Sequence, residues 1–260
     1  MTDSELSAIS GKENTTVLTI AGFDPSGGAG VLADVKTFEA NGILGFGVVT
    51  ALTWQNDIEF DKVDWVAPEK IEEQIAVLLR RFSIRYIKIG LIESMEVLNR
   101  IVNFLHDRIT DPVIVYDPII KASAGFTFHK EPALFHSIFD RIYCITPNIP
   151  EAEWLFGKEY LTETLEDKSE TLNIYLKGGH GGTNTITDML FVKDHTYVFT
   201  NDKLPHGAKH GSGCVLSAAL AAALALGKDL PDAAETANQY THQYLASSNT
   251  LLGFHKPLQP

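Results

Sequence analysis

The feature that constrains this chain most is a regular alternation between short apolar runs and longer segments with apolar residues at helical spacing. The predicted strands cover residues 17–21, 46–52, 86–90, 113–118, 141–146 and 172–177, and the predicted helices cover 30–41, 68–82, 94–106, 213–226 and 231–246. Strands that alternate with helices form a parallel sheet, because each crossover helix returns the chain to the edge where the strand began. We therefore expect the α/β class: a doubly wound, mostly parallel sheet with helices on both faces.

Three further segments complete this outline. Residues 189–199 form two apolar runs around a polar turn, which predicts a hairpin at an antiparallel end of the sheet. The acidic segment 158–170 is weakly apolar and is typical of a solvated loop or a surface helix. No Ser/Pro-rich linker or internal repeat divides the 260 residues, so we expect a flexible tail over 1–16 and a single domain over 17–260.

Charge and cysteine usage limit the partners and the compartment. The chain has 21 Lys and Arg against 33 Asp and Glu, a net charge of -12, and no basic run, which disfavours nucleic acid. Its two cysteines make no disulfide framework, and the polar start lacks the apolar core of a signal peptide, so we expect the cytoplasm. The longest apolar run, 215–226, is shorter than the ~20 residues that span a bilayer and predicts a buried helix.

A glycine-rich loop, GFDPSGGAG, follows the first predicted strand at residues 22–30. Amides at the start of the next helix can hold an anion or a polar ligand there. Gly28, Gly30 and Ala33 satisfy a dinucleotide pattern, but they come late in the loop, and position 50 is Thr where a ribose-binding acid is expected. No Gly-Lys-Ser/Thr follows, so the loop is not a Walker A motif; the alternative is a turn whose glycines serve packing alone.

A second small-residue loop, residues 207–213, directly precedes the apolar helix. Bare amides of Gly211, Ser212 and Gly213 at a helix start favour a phosphate or developing negative charge. Cys214 then falls on the first turn, where we expect a thiol pKa below its usual ~8.5. The alternative for this cysteine is an inert buried residue.

Acids and a lysine follow three predicted strands. Asp117, the pair Asn148 and Glu151, and Lys177 each come where a strand ends, and the ligand crevice of an open parallel sheet lies beyond those ends. A carboxylate pair can hold Mg²⁺ through water, and a lysine can meet a phosphate. Together they predict a phosphoryl-transfer site, although each alone is more often a turn.

These motifs, in this order, resemble those of a known family. The segments GFDPSGGAG, VVTALTWQN, KIG, DP, TPNIPEAE, KGGH and HGSGC closely resemble the hydroxymethylpyrimidine/phosphomethylpyrimidine kinases of thiamin synthesis, within the ribokinase superfamily. The resemblance runs from about residue 17 to 246 and implies a ribokinase-like fold, ATP and Mg²⁺ as cofactors, and a homodimer. Pyridoxal kinases share several of the features and are the alternative; a non-catalytic ligand-binding protein on the same fold is an alternative of another class.

The resemblance also implies roles for individual residues. On the acceptor side, three residues match family positions that contact the pyrimidine ring and its hydroxymethyl group: Gly22, Asp34 and Gln55. Leu91 and Ile119 match positions that form apolar walls. An aminopyrimidine edge needs paired donor and acceptor groups, which the Gln55 amide can provide. The alternatives are a solvated strand end for Gln55 and a surface charge for Asp34.

On the nucleotide side, the resemblance places Asn148, Lys177 and the 210–214 loop at the phosphates, with Asp117 and Glu151 organising Mg²⁺. Cys214 stands where most ribokinase relatives carry an aspartate base, and it is expected to accept the proton of the acceptor hydroxyl. Lys209 departs from the pattern, because the family usually has threonine there. We expect its ammonium either to approach a substrate phosphate or to be solvated at the loop rim.

Overall fold

The computed structural model describes residues 15–120, 135–158, 161–178 and 184–258. Its strands are β1 (Thr16–Phe23), β2 (Leu44–Gln55), β3 (Phe60–Trp65), β4 (Tyr86–Ile89), β5 (Val113–Tyr116), β6 (Cys144–Ile145), β7 (Asn173–Leu176), β8 (Thr185–Val192) and β9 (His195–Asp202). Its helices are α1 (Gly30–Ala40), α2 (Pro68–Leu79), α3 (Met95–His106), α4 (Ile149–Phe156), α5 (Leu161–Ser169), α6 (Ser212–Ala225) and α7 (Leu230–Leu245), with a 3₁₀ helix at Phe135–Arg141.

The strands form one nine-stranded sheet in the order β3-β2-β1-β4-β5-β6-β7-β8-β9. The six strands from β2 to β7 in this order pair in parallel. The edge strand β3 and the hairpin β8–β9 pair antiparallel. This arrangement confirms the predicted mostly parallel sheet and the predicted hairpin at its antiparallel end.

Successive residues of the central strands pack into two separate hydrophobic cores, one on each face of the sheet. Leu18 and Ile114 pack on the face covered by α2 to α5, whereas their neighbours Val17 and Val115 pack on the face covered by α1, α6 and α7. Strands that are buried on both faces read as continuous apolar runs, which is why the sequence pattern located them. Helices on both faces confirm the predicted double winding.

Several local expectations are corrected. β1 begins at Thr16, so the last residue of the expected tail belongs to the sheet, and the carbonyl of Thr15 before it accepts a hydrogen bond from the Leu44 amide. β3 escaped prediction because its burial alternates weakly at an exposed edge. The expected strand 141–146 shrinks to Cys144–Ile145, and helix α4, for which the sequence pattern predicts no element, follows it.

Helix α6 is the buried helix that its apolar sequence predicts. Every residue from Cys214 to Leu224 is buried. Its many alanines allow α7 and α1 to pack closely around it, and the helix starts directly at the predicted phosphate-binding loop. Within the described residues, none of the helices has the length and apolar character needed to cross a membrane.

Candidate active site

A cavity of about 990 Å³ opens where the parallel strands end. Every predicted site residue except Asp34 lines it: Gly22, Gln55, Leu91, Asp117, Ile119, Asn148, Glu151, Lys177, Lys209, Gly211, Ser212, Gly213 and Cys214. These residues lie at or just after the carboxyl ends of β1, β2, β4, β5, β6 and β7, or in the loop and first turn at the start of α6. The sheet topology therefore brings together residues that are almost 200 positions apart in the sequence.

The loop before α6 depends on glycine at one position. Gly211 precedes the first turn with a left-handed φ of 73°, and a Cβ there would overlap the carbonyl oxygen of Gly28 in the first glycine-rich loop. The first intrahelical bond runs from the Val215 amide to the Gly211 carbonyl, at 3.0 Å. The amides of Ser212, Gly213 and Cys214 thus lack intrahelical partners, and the positive end of the helix dipole lies at the cavity.

Lys177 lies between the two predicted metal carboxylates. Its Nζ is 2.8 Å from Asp117 Oδ1 and 3.7 Å from Glu151 Oε2. A Cβ added to Gly213 would lie 3.1 Å from the same Nζ, so the ammonium is directly beside the start of α6. One cation and two carboxylates at a helix N-terminus are suited to phosphate and magnesium.

The ionisation of this cluster follows from burial and from the ion pair. Burial opposes the charge on Asp117, but Lys177 and Lys88 outweigh it and lower the pKa of this carboxyl. Burial, together with the Asp117 charge, raises the pKa of Glu151. For Lys177, the two carboxylates outweigh burial and raise the pKa, so its ammonium stays charged at neutral pH.

The N-x-x-E pattern at residues 148–151 has a local structural role as well. Asn148 Oδ1 accepts from the Glu151 amide at 2.9 Å, and Glu151 Oε2 accepts from the Asn148 amide at 2.7 Å. This capping box fixes the start of α4. It also orients both side chains at the cavity wall, because each is held by the backbone of the other.

Cys214 lies on the first turn of α6, as expected, but its acidity is not as expected. The residue is only 6% exposed. Burial is the largest influence and, with the nearby charges of Asp117 and Asp34, it raises the pKa of the thiol to about 11, although Lys88 acts in the opposite direction. The expectation of a pKa below ~8.5 is therefore wrong, because desolvation outweighs the helix N-terminus.

The predicted acceptor end is formed by the ends of β1 and β2. Gln55 is half-buried, and its Nε2 donates to Thr53 Oγ1 at 2.8 Å, which in turn donates to the Phe23 carbonyl. A Cβ on Gly22 would meet Leu91 Cδ2 at 3.0 Å, so the glycine leaves room for this apolar wall. Gln55 is thus a half-buried residue at the end of β2 that borders the cavity, with its amide bonded to Thr53.

Asp34 does not reach the cavity. It is fully buried on α1, where its Oδ2 accepts from Lys88 Nζ at 2.8 Å and from Thr19 Oγ1 at 2.6 Å. Burial raises the pKa of this carboxyl, and Lys88 opposes the shift. Asp34 is therefore not a surface charge, and it lies outside the cavity lining where its expected role would place it, because this face of α1 packs on the sheet.

Lys209 is neither solvated nor directed at a phosphate. It is 7% exposed, and its Nζ donates to the backbone carbonyls of His206, Ser248 and Thr250 at 3.1, 2.7 and 2.7 Å. The three hydrogens of the ammonium are matched by these three acceptors. Both expectations for this residue are therefore corrected, although Lys209 still borders the cavity.

Two residues inside the motifs, Asp24 and His210, received no individual role from the sequence. His210 Nε2 lies 2.8 Å from Asp24 Oδ2, and both side chains are buried. Burial opposes ionisation of Asp24, but hydrogen bonds from His210 and Ser26 outweigh it and lower the pKa of this carboxyl. The pair joins the two glycine-rich loops. The only indication of it in the sequence was that Asp24 lies in one motif and His210 in the other. Gly179 and His180 of the KGGH motif lie outside the described residues.

Comparisons with known proteins identify the family of the chain. A family model described as phosphomethylpyrimidine kinase matches residues 24–259. The chain is 35% identical over 246 residues to hydroxymethylpyrimidine/phosphomethylpyrimidine kinase of Aquifex aeolicus (strain VF5), covering 90% of this chain and 95% of that protein. A crystal structure of phosphomethylpyrimidine kinase from Clostridium difficile 630 matches with a TM-score of 0.73 at 32% identity, covering 88% of this chain and 98% of that one. The pyridoxal kinase of Staphylococcus aureus, solved in complex with pyridoxal, matches with a TM-score of 0.78 at 25% identity, covering 93% and 92%.

Proposed function

The chain belongs to the phosphomethylpyrimidine kinase family, with a ribokinase-like fold, and from this premise we propose its reaction. It transfers phosphate from ATP to the hydroxymethyl group of 4-amino-5-hydroxymethyl-2-methylpyrimidine and then adds a second phosphate to that monophosphate, in thiamin biosynthesis. The observation that carries the proposal is the shared cavity: Gln55 and Leu91 line one end, and Lys177 lies beside the start of α6 at the other.

The acceptor end of the cavity suits a flat heterocycle with a polar edge. The Gln55 amide offers both a donor and an acceptor, and Thr53 holds its orientation. Leu91 and Ile119 supply apolar contacts to the faces of a ring. The exocyclic hydroxyl of such a ring would then point toward the phosphate loop, where transfer takes place.

The transfer step follows from the groups at the start of α6. The hydroxyl oxygen attacks the γ-phosphorus of ATP, the bond from that phosphorus to the bridging oxygen of ADP breaks, and the hydroxyl proton passes to the thiolate of Cys214. Amides of Gly211 to Cys214 and the ammonium of Lys177 stabilise the charge on the transferred group. Cys214 can accept this proton only in its thiolate form. The raised pKa of the thiol keeps the thiolate scarce at neutral pH and also makes it a strong base.

The carboxylates fit a magnesium ion. Asp117 and Glu151 present oxygen ligands to the cavity, and Mg²⁺ is commonly held by one or two carboxylates together with water and substrate phosphates. Within the described ranges, no group of three or more His, Cys, Asp or Glu side chains could form an all-protein metal site. Mg²⁺, when bound by these carboxylates, would neutralise charge on the substrate phosphates.

The alternative substrate is pyridoxal, and the similarity to the Staphylococcus aureus pyridoxal kinase favours it. It is the weaker candidate, since the family model and the Aquifex aeolicus relative both carry the pyrimidine name. A non-catalytic binding protein is disfavoured because Lys177, Asp117 and Cys214 meet in one cavity. Residues 17–260 would act as a single catalytic domain. The resemblance supports a homodimer, and the low cysteine content favours the cytoplasm.

The test is ADP release measured with the pyrimidine alcohol, its monophosphate and pyridoxal side by side, at equal concentrations with Mg²⁺ and ATP. We expect kcat/KM to be larger for both pyrimidines than for pyridoxal. A larger value for pyridoxal would replace the proposed substrate with the alternative. If no ADP is released with any of the three acceptors, the proposed function itself is contradicted.

A further inference from the structure

We propose that Lys209 is a positioning residue whose ammonium serves as a built-in monovalent cation for the phosphate-binding loop. This inference rests on the proposed function for its effect on turnover. It goes beyond that function because it assigns a task to an ammonium whose hydrogen bonds all go to backbone carbonyls. The supporting observations are the contacts of the ammonium, the origin of its acceptors and the path from them to the site.

The ammonium is coordinated as an ion would be. Its acceptors are three backbone carbonyl oxygens at 2.7, 2.7 and 3.1 Å, and the residue is 7% exposed. Carbonyl oxygens carry partial negative charge, so three that converge on one point repel one another unless a cation lies between them. Rings of such carbonyls are the usual ligands of potassium, which they hold in place of water.

The acceptors come from two separate segments. His206 precedes Lys209 in the same loop, whereas Ser248 and Thr250 belong to a turn after α7. This turn is closed by Ser248 Oγ and Thr250 Oγ1, which both donate to the Leu252 carbonyl, at 2.6 and 2.9 Å. The ammonium therefore holds the approach to the phosphate-binding loop against the C-terminal turn.

From Lys209 the contacts lead directly to the reacting groups. The next residue, His210, donates its amide to the Leu251 carbonyl at 2.9 Å and places its ring against Asp24. The residue after it is Gly211, whose backbone meets Gly28 and begins the run of free amides. Loss of the cation would release these carbonyls and shift the loop, and a displacement of about 1 Å can cost about 10²-fold in rate.

The experiment compares Lys209→Ala, which leaves space for a free cation, with Lys209→Met, which fills that space with an apolar chain. Lys203→Ala, at an exposed position in the preceding segment, is the matched control for loss of one charge. Turnover of the pyrimidine is measured in KCl, NH₄Cl and tetramethylammonium chloride at equal ionic strength. Thermal unfolding is recorded in the same salts without substrates.

For Lys209→Ala we expect kcat about 10²-fold lower in tetramethylammonium, saturable recovery with K⁺ or NH₄⁺, and a KM for the pyrimidine within about threefold of the parent. Lys209→Met should stay slow in all salts, and the parent and Lys203→Ala should be indifferent to the salt. Parent-like kcat of Lys209→Ala in tetramethylammonium, or a loss that neither small cation restores, would overturn the proposal.

The unfolding data separate this inference from the proposed function. A midpoint of Lys209→Ala that rises saturably with K⁺ or NH₄⁺, but not with tetramethylammonium, supports the cation role even if the pyrimidine is not the substrate. If Lys209→Ala does not fold, Lys209→Thr is measured in its place. If neither variant folds, ¹⁵N-lysine NMR of the parent decides, since the absence of a slowly exchanging ammonium signal would overturn the proposal.

Discussion

Replacement of Cys214 by alanine tests the assignment of the proton acceptor. The pKa of about 11 leaves about one molecule in 3,000 as thiolate at pH 7.5, so below this pKa the parent rate should rise about tenfold per pH unit. A positioned base contributes about 10² to 10⁴ in rate, or about 2.7 to 5.4 kcal/mol of barrier. We expect Cys214→Ala to lose that factor in kcat and to keep its KM for ATP within about threefold.

The assay is kcat against pH from 6.5 to 8.5 for the parent, Cys214→Ala and Cys214→Asp. The alanine variant should be slow with a flat profile, and the aspartate variant should retain more activity, as in ribokinase relatives. The assay stays below pH 9 because the pKa of the Cys214 thiol is higher in the folded protein than in the unfolded chain. Above about pH 9 the thiol of the unfolded chain loses its proton while that of the folded protein keeps it, so the stability of the fold decreases as the pH rises.

Stability is the necessary control for this prediction. Cys214 is buried, and removal of its sulfur should cost about 1 kcal/mol of unfolding free energy. Cys144→Ala removes a sulfur that is buried in β6, and it should show a similar stability loss with parent-like kcat. A kcat of Cys214→Ala within threefold of the parent, or an unchanged pH slope, would refute the assignment of the base.

Three further predictions concern the acceptor end, the phosphate loop and the thiol. Gln55→Ala should raise the KM for the pyrimidine about tenfold with the KM for ATP unchanged, and equal changes in both would contradict its placement at the acceptor end. Gly211→Ala should lower kcat by 10²-fold or more, since its φ of 73° costs about 1 kcal/mol and its Cβ would overlap the Gly28 carbonyl. Gly227→Ala, at a φ of 86° with open space around it, should lose only stability, and parent-like kcat of Gly211→Ala would contradict the loop geometry. Iodoacetamide should inactivate the enzyme by alkylating Cys214, at a rate that rises with pH up to about pH 11 and that ATP plus pyrimidine lowers. Cys144 is fully buried, its pKa is raised to about 12, and it should stay unmodified. An alkylation rate that levels off below pH 9 would contradict the raised pKa of Cys214.

Local pattern predicted most of the sheet, because central strands buried on both faces leave apolar runs that sequence alone displays. The same reasoning missed β3, an edge strand whose side chains alternate between half-buried and exposed. It also missed α4, whose signature is the capping box at Asn148 and Glu151 rather than a long apolar period. The place of β3 depends on its pairing with β2, which a local window does not show, whereas the capping box of α4 is a local signal that the search for apolar periods passed over.

The sequence predicted the position of those site residues that directly follow the end of a predicted strand. Asp117 and Lys177 lie at the cavity for that reason, since parallel strands end at one edge. Asp34 received its expected role from the resemblance alone, and a motif match does not say that this face of α1 packs against the sheet. The contacts of Lys209 join positions about 40 residues apart, and the acidity of Cys214 depends on burial, so neither follows from residue type.

The most direct test of the account is a ³¹P NMR time course of the parent enzyme with the pyrimidine alcohol, Mg²⁺ and excess ATP. One cavity that performs both transfers predicts a monophosphate ester that accumulates first and then declines as the diphosphate ester appears. Added monophosphate should slow the first step competitively with the alcohol, because both occupy the end lined by Gln55. No phosphate ester at all, or monophosphate that neither reacts further nor competes, would contradict the central claim.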